Sequence, residues 1–388
     1  MPDLTPAPSP AEPRFLDIHV VQTLPYSNVN RDDLGSPKTV VFGGTTRTRV
    51  SSQAWKRPAR LKVEEQIGEQ AVRTRRLPQQ VATELADRRG WPAELAALAG
   101  AQVIRSSDSK LALENSDRTT ASLLFLPDKA AAELADIAEE HRAALEKALG
   151  NKAASAKALL PKERVQEVLR SRNGSIALFG RMLAEIPGAG VDGAVQVAHA
   201  FTTHATSVQA DFFTAVDDAG QWAEDAGSAH MNTGEYSSGV FYRYATLDLG
   251  DLARNVPDAD TARTLAAAFL NAFVHTMPSA KKTSTAPHTA PDLVHVSVRS
   301  DRPLSLAAAF EKPVSAGRDG WAEGSRDTLN EYATRIHTLL GVEGVLYSAH
   351  AGVDDKSLDG LGTKVASYPE LTAAAVRTAV PNRETPAA

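Results

Sequence analysis

The sequence predicts an α+β fold of the ferredoxin-like sandwich type. Three observations carry that prediction. Segments alternating with period two recur along the chain, as half-buried strands do. Helical stripes of period 3.6 stand between them. A long Ala-rich, charged helical stretch interrupts the resulting core, which fits an insertion better than a regular doubly wound sheet. At 388 residues the chain has room for two or three domains, or for one core with large insertions.

The elements follow in order. Residues 1–13, rich in proline and acids, read as a disordered tail and lack the apolar stretch of a signal peptide. FLDIHVVQTL sets Leu16, Ile18 and Val20 against Asp17 and His19, a half-buried strand. A polar loop follows, with breakers at Gly35–Pro37 and Gly43–Gly44. A short strand at Arg47–Val50 leads to Ser51–Ser52, where serine caps a helix that Pro58 kinks or starts. From about Val63 to Arg170 the chain is helical, with Leu134, Ala138, His141, Leu145 and Ala148 on one stripe ended by Gly150. Ser175–Phe179 reads as a strand, the segment AVQVAHAF at 194–201 as helix-like, and His199 to Ser238 as a long hairpin. FYRYATLDL is a strand, Thr261–Met277 a buried helix and Leu293–Arg299 a strand. Asp327–Leu340 is an amphipathic helix closed by Gly341, and Val345–His350 a final strand.

Composition excludes several classes. The chain has no cysteine, which removes disulfides, thiolate catalysis and Cys-ligated metal. No segment is long and apolar enough to span a bilayer; Leu265–Met277 is too short and carries Asn271 and His275. A soluble cytoplasmic protein is expected. The ten histidines show no metal-binding spacing and read as structural. GAGVDG at Gly188–Gly193 matches a dinucleotide fingerprint, but Pro187 precedes it where a strand should end, so it reads as a loop. No metal, no cofactor and no catalytic set are expected.

Charge is the informative feature. Net charge is −5, yet no acid stands between Leu34 and Val63, where Lys38, Arg47, Arg49, Lys56, Arg57, Arg60 and Lys62 bring seven positive charges. Gln53, Lys56, Arg57 and Arg60 follow i, i+3, i+4, i+7 spacing and share one helix face. Arg47 and Arg49 point to one face of their strand. Two readings stay open: a solvated basic face, or a track for a polyphosphate backbone. Lys281 and Lys282, among small hydroxyl residues, form a second basic spot that either wraps phosphates or merely connects elements.

Several short stretches, taken in order, carry a resemblance. They are N-R-D-D at 30–33, F-G-G at 42–44, R-x-R-V-S-S-Q-x-x-K-R-x-x-R at 47–60 and A-L-F-G-R-M-L-A at 177–184. V-Q-V-A-H-A at 195–200, F-F-T-A-V-D-D at 212–218 and S-G-V-F-Y-R-Y at 238–244 complete them, with M-P-S-A-K-K at 277–282 a looser match. Together they closely resemble the CasC family, the backbone subunits of type I-E CRISPR Cascade.

The resemblance implies a hand-shaped fold. An RNA-recognition-motif-like palm would comprise residues 14–62, 175–200 and 238–388, with helical fingers at 63–174 and a β-hairpin thumb at 201–237. It implies a non-catalytic subunit that polymerises along CRISPR guide RNA and presents it to target DNA. Partners would be further copies of itself and the other Cascade subunits: large subunit, small subunit, guide-processing endonuclease and CasD. Carried over by position, Arg31, Arg49, Ser51, Ser52, Gln53, Lys56, Arg57, Arg60, Lys281 and Lys282 would hold the RNA backbone. Phe212, Phe213, Thr214 and Val216 would form the thumb wedge, and Met182 would prop a kinked nucleotide. Core packing is the bland alternative for Phe212, Phe213 and Met182. A guide of arbitrary sequence needs phosphate contacts and sequence-tolerant stacking, with specificity left to base pairing. The alternative is another RNA-binding or RNA-processing protein of RNA-recognition-motif type.

Overall fold

A computed structural model describes residues 12–215, 230–318 and 320–381. Residues 1–11 of the expected tail, and Val216 of the expected wedge, lie outside the described residues. The chain forms two compact units. One holds Met1–Lys62, Val195–Gly250 and Asp258–Ala388; the other holds Val63–Ala194 and Asp251–Pro257. The helical unit thus runs on through Ala194, beyond the 174 boundary expected for the insertion.

The first unit is built on one sheet: β1 (Phe15–Ser27), β2 (Thr39–Phe42), β3 (Thr45–Val50), β4 (Val195–Val197), β5 (Ala200–Thr202), β6 (Gln209–Ala215), β7 (His230–Asp248), β8 (Leu293–Arg299), β9 (Val345–Gly352) and β10 (Thr363–Lys364). The order is β10-β9-β8-β1-β7-β5-β3-β2, with β4 and β6 also pairing with β7. Pairing is antiparallel except between β9 and β10. The helices of this unit include α1 (Ser52–Ile67), which crosses the division between the units, α2 (Ala259–His275), α3 (Ala322–Leu340) and α4 (Tyr368–Ala379).

Adjacent residues of β7 point to opposite faces, and this places helices on both sides of the sheet. Tyr242 joins Val21, Leu293, Phe310 and the α3 residues Leu329 and Ala333 in one core. Its neighbour Arg243 turns the other way, onto Phe273 of α2. The fold is therefore α+β as expected, with a helical layer on each face. The expected half-burial of β1 gives way to burial on both faces: Asp17 is 0% and His19 2% exposed. Both polar groups are satisfied, Asp17 by the Tyr244 hydroxyl at 2.9 Å and His19 by the Tyr242 hydroxyl at 2.9 Å.

β7 belongs to two structures at once. Its C-terminal half pairs with β1 from Phe15↔Asp248 to Ser27↔Ser237. Its N-terminal half pairs instead with β6, from Gln209↔Tyr236 to Ala215↔His230. The result is a two-stranded ribbon continuous with the sheet.

Four local expectations are corrected. Residues 175–179 are helical within Gly174–Phe179, because the Asn173 side chain accepts from the Ile176 N–H and Gly180, at φ 78°, ends the turn. The segment 194–201 is not helix-like but runs through β4 into β5, held by pairing with β7. The stripe 134–148 is divided at His141 into helices Ala130–Glu140 and Arg142–Ala148. Arg47 does not join Arg49 at the surface. It is buried, donating to Thr45 Oγ1 at 2.9 Å and to the carbonyls of Thr202 at 2.9 Å and Phe310 at 3.0 Å. Strand β2 and helix α4 were not anticipated from the sequence.

The second unit packs helices Leu77–Thr83, Ala93–Arg105, Ala130–Glu140 and Lys162–Arg170 around Val81, Leu95, Val103, Leu134 and Val165. Its glycine-rich loop has a steric explanation. A Cβ on Gly193 would lie 2.5 Å from the Gly180 nitrogen, so two backbone segments meet where only glycine fits.

Candidate nucleic-acid interface

The candidate site grows from the start of α1. Trp55, Ala59 and Val63, spaced by four, are buried at 2%, 2% and 0%. The opposite face carries the polar residues: Gln53 and Arg57 are exposed, and Lys56 and Arg60 half-buried. Trp55 is fixed from below. The Arg243 guanidinium lies 3.7 Å from the Trp55 ring centroid and 4.6 Å from that of Phe273. Arg243 also donates to Gln22 Oε1 at 2.6 Å and to the Phe273 carbonyl. Burial pushes its pKa down to about 9, which leaves it cationic at neutral pH. Gln22 in turn donates to the Thr289 carbonyl at 2.8 Å. One buried arginine and its glutamine partner thus connect the basic helix with the chain that follows the Lys281–Lys282 loop.

Two separate motif stretches meet at the helix start. The Ser51 N–H donates to Asn30 Oδ1 at 2.7 Å, and the Ser52 N–H donates to His199 Nδ1 at 2.9 Å. Ser51 itself is 7% exposed. It therefore presents less to a ligand than Ser52, which is half-buried. Arg49 is half-buried beside them, its Nη1 3.4 Å from His199 Nδ1.

The loop before β2 is shaped by Asp32, whose carboxylate accepts the N–H groups of Leu34 at 3.0 Å and Ser36 at 2.9 Å. Arg31 is exposed there. An open groove of about 530 Å³, lined by Asn30–Gly35 and Ala280, sets this loop against the second basic loop. Lys282 is exposed and Lys281 half-buried, with Lys281 in the left-handed region at φ 48°. Arg31 lines this groove, and Lys281 and Lys282 follow directly on Ala280, which lines it from the other loop.

The same loop braces the root of the ribbon. Asn28 Nδ2 donates to the Glu235 carbonyl at 2.8 Å, and the Ser36 hydroxyl bonds the Glu235 carboxylate. Tyr26 packs on Tyr236 with ring centroids 4.8 Å apart. Beyond this root the phenylalanines are open to solvent: Phe212 is 64% and Phe213 41% exposed, opposite Thr233 and Asn232. Core packing does not account for them in this chain. Thr214 is exposed as well.

Met182 lies in the helical unit and is 91% exposed. Its neighbour Arg181 is an anchor, buried and donating to the carbonyls of Ala189 and Ser171 at 2.8 Å and Arg170 at 2.9 Å. Burial pushes the Arg181 pKa down to about 10. A side chain next to so well-tied an arginine is held outward by its backbone.

Sequence reasoning placed no function on His199 or Asn30. Their signal was position within stretches 195–200 and 30–33, since neither spacing nor charge marks them. Among the described residues no group of three or more His, Asp or Glu converges as a metal site, and no helix is long and apolar enough to cross a membrane.

Comparison with known proteins places this arrangement. No curated protein matches the chain. A chain of a solved structure described as "CRISPR RNA-guided surveillance complex, pre-nicking" is 50% identical, with a TM-score of 0.89 over 94% of this chain and 100% of that one. A chain of another, described as "CRISPR RNA-guided surveillance complex", is 44% identical, with a TM-score of 0.78 over 93% of this chain and 99% of that one. Residues 16–374 match the CT1975-like protein family. The match takes in nearly the whole folded chain, including α1, the ribbon and the lysine loop, and the chain belongs to the CT1975-like family.

Proposed function

We propose that this chain is the non-catalytic backbone subunit of a type I-E CRISPR surveillance complex, assembling in several copies along guide RNA. The observation that carries the reading is the combination, in one unit, of a basic face on α1 with a solvent-facing phenylalanine pair on a ribbon. The first suits a phosphate backbone of any sequence. The second suits a wedge against bases, which all present a stackable face. The similarity to chains of RNA-guided surveillance complexes supports the same role.

In this reading the first unit is an RNA-recognition-motif-like palm, the helical unit supplies fingers and the β6–β7 ribbon is the thumb. Ser52, Gln53, Lys56 and Arg60 hold phosphate and sugar oxygens, with Arg49 and Arg57 adding charge. Arg31, Lys281 and Lys282 hold the next stretch of backbone along the groove. Phe212 and Phe213 project toward the RNA held by a neighbouring copy, and Met182 props the displaced nucleotide. Target DNA pairs with the guide between these interruptions, and other subunits of the complex complete the particle in the cytoplasm.

The test is purification of the tagged chain from its own host. A discrete small RNA of uniform length, carrying repeat-derived ends and varied interior sequence, is expected to accompany it. Heterogeneous RNA, or metal-independent RNA cleavage by the purified chain, would favour a solitary RNA-binding or RNA-processing protein instead.

A further inference from the structure

The turn between β4 and β5 holds His199 beside two cations without a carboxylate partner. His199 is exposed, and Arg49 and Lys38 are both half-buried. Among the described residues neither Lys38 nor Arg49 makes an ion pair, and the chain has no acid between Leu34 and Val63. Three groups that are positive, or able to become so, therefore crowd together, an arrangement that an anion relieves.

The hydrogen bonds fix the chemistry of the imidazole. Nδ1 faces two donors, the Ser52 N–H at 2.9 Å and Arg49 Nη1 at 3.4 Å. It must keep its lone pair, so the proton of the neutral ring sits on Nε2. Partial burial, Arg49 and Lys38 all press the His199 pKa below its ordinary value, so the ring is neutral at pH 7. The first free N–H of α1 is already spent on His199, so the helix terminus is not itself the binding group.

We propose that Lys38, Arg49 and His199 form one phosphodiester subsite, in which His199 contributes a neutral Nε2–H donor and the other two contribute charge. This rests on the RNA-backbone reading above and extends it by two residues. It also limits what the site does. With Nδ1 engaged and Nε2 protonated, His199 has no free lone pair to remove a 2′-hydroxyl proton. The imidazole holds the backbone and does not act as a base toward it.

A neutral donor and a cation leave different signatures. Binding of a long uridine homopolymer is measured against salt for the wild type, His199→Ala, Lys38→Ala and Lys56→Ala. His199→Ala is expected to weaken binding about 3- to 10-fold, the worth of one neutral hydrogen bond, with the salt slope unchanged. Lys38→Ala is expected to lower the slope by about 0.7 per lost phosphate contact. Imidazole nitrogen resonances separate contact from support of the helix. On adding a short oligouridylate to the wild type, Nε2 of His199 should shift while Nδ1 stays an acceptor. Wild-type affinity in both the His199 and Lys38 variants, with Lys56→Ala still lowering the slope, would overturn the subsite and leave the RNA reading intact. A lowered slope in His199→Ala would overturn the neutral-donor assignment. No salt-dependent RNA binding by the wild type would overturn both.

Discussion

Arg243 stacks its guanidinium 3.7 Å above the ring of Trp55, joining the central strand β7 to the underside of the basic helix. The pair sets where the polar face of α1 stands, because Trp55 is the first buried residue of that helix. Arg243 also donates to Gln22 and Phe273, so its loss strands two buried acceptors as well as the ring. Arg243→Ala is expected to destabilise the fold by about 1–3 kcal/mol for each buried acceptor it leaves unpaired. Urea unfolding checks this; an unchanged midpoint would mean that α1 is seated by other contacts.

The basic face of α1 makes a prediction about salt. Lys56→Ala and Arg60→Ala should weaken RNA binding equally for all sequences. Each should lower the slope of log affinity against log salt by about 0.7, if each meets one phosphate of a single strand. Filter binding across a salt series reads this directly. Unchanged slopes in both variants would return the stripe to a solvated helix face.

The ribbon phenylalanines separate stability from function. Phe213 is 41% exposed, so Phe213→Ala should leave the thermal midpoint of the free subunit nearly unchanged. A core phenylalanine would cost roughly 3–5 kcal/mol. The same variant should weaken the periodic protection of bound RNA seen by chemical probing, because base stacking on an aromatic ring contributes about 1–3 kcal/mol per base. A normal protection pattern would remove Phe213 from the wedge.

Acid should weaken the sheet. His19, His295 and His350 align across β1, β8 and β9, with Asp17, Arg299 and His337 around them. Burial pushes the His295 pKa from 6.5 down to about 4, and that of His19 well below 6.5. The unfolded chain therefore binds more protons between those values, and stability falls as pH drops from 6.5 toward 4. Asp17 acts in the opposite sense. Its pKa is raised by burial to about 6, so its contribution is present below 3.8 and lost as pH rises through 6. The histidines outnumber it, and His295 alone accounts for a loss on the order of 3 kcal/mol. Urea midpoints measured from about pH 7 to pH 5 should fall, and His295→Asn should flatten the decline. A midpoint that rises on acidification would show that Asp17 dominates.

The sequence made the basic helix legible because a helix face is a local property: Gln53, Lys56, Arg57 and Arg60 need only each other to be seen. The long apolar helices were legible for the same reason. Arg47 was misplaced because its carbonyl partners, Thr202 and Phe310, are distant in sequence and no pattern announces them. Residues 175–179 were misread because a five-residue apolar run has no distinguishing period; the Asn173 cap and Gly180 decide it. The double role of β7 was hidden because a strand's partner can change along its length without any change in alternation. His199 escaped notice because its importance lies in a hydrogen bond to Ser52, far upstream.

The central claim is that copies of this chain assemble along RNA, and counting them tests it most directly. Mass photometry of the purified chain with single-stranded RNAs of increasing length gives copies per strand. The account predicts weak binding to short strands and cooperative assembly on long ones, because each added copy gains from the effective concentration its neighbour provides. Copy number should rise in even steps with RNA length. A single copy bound tightly to a short oligonucleotide, with no further copies as the strand lengthens, would contradict it.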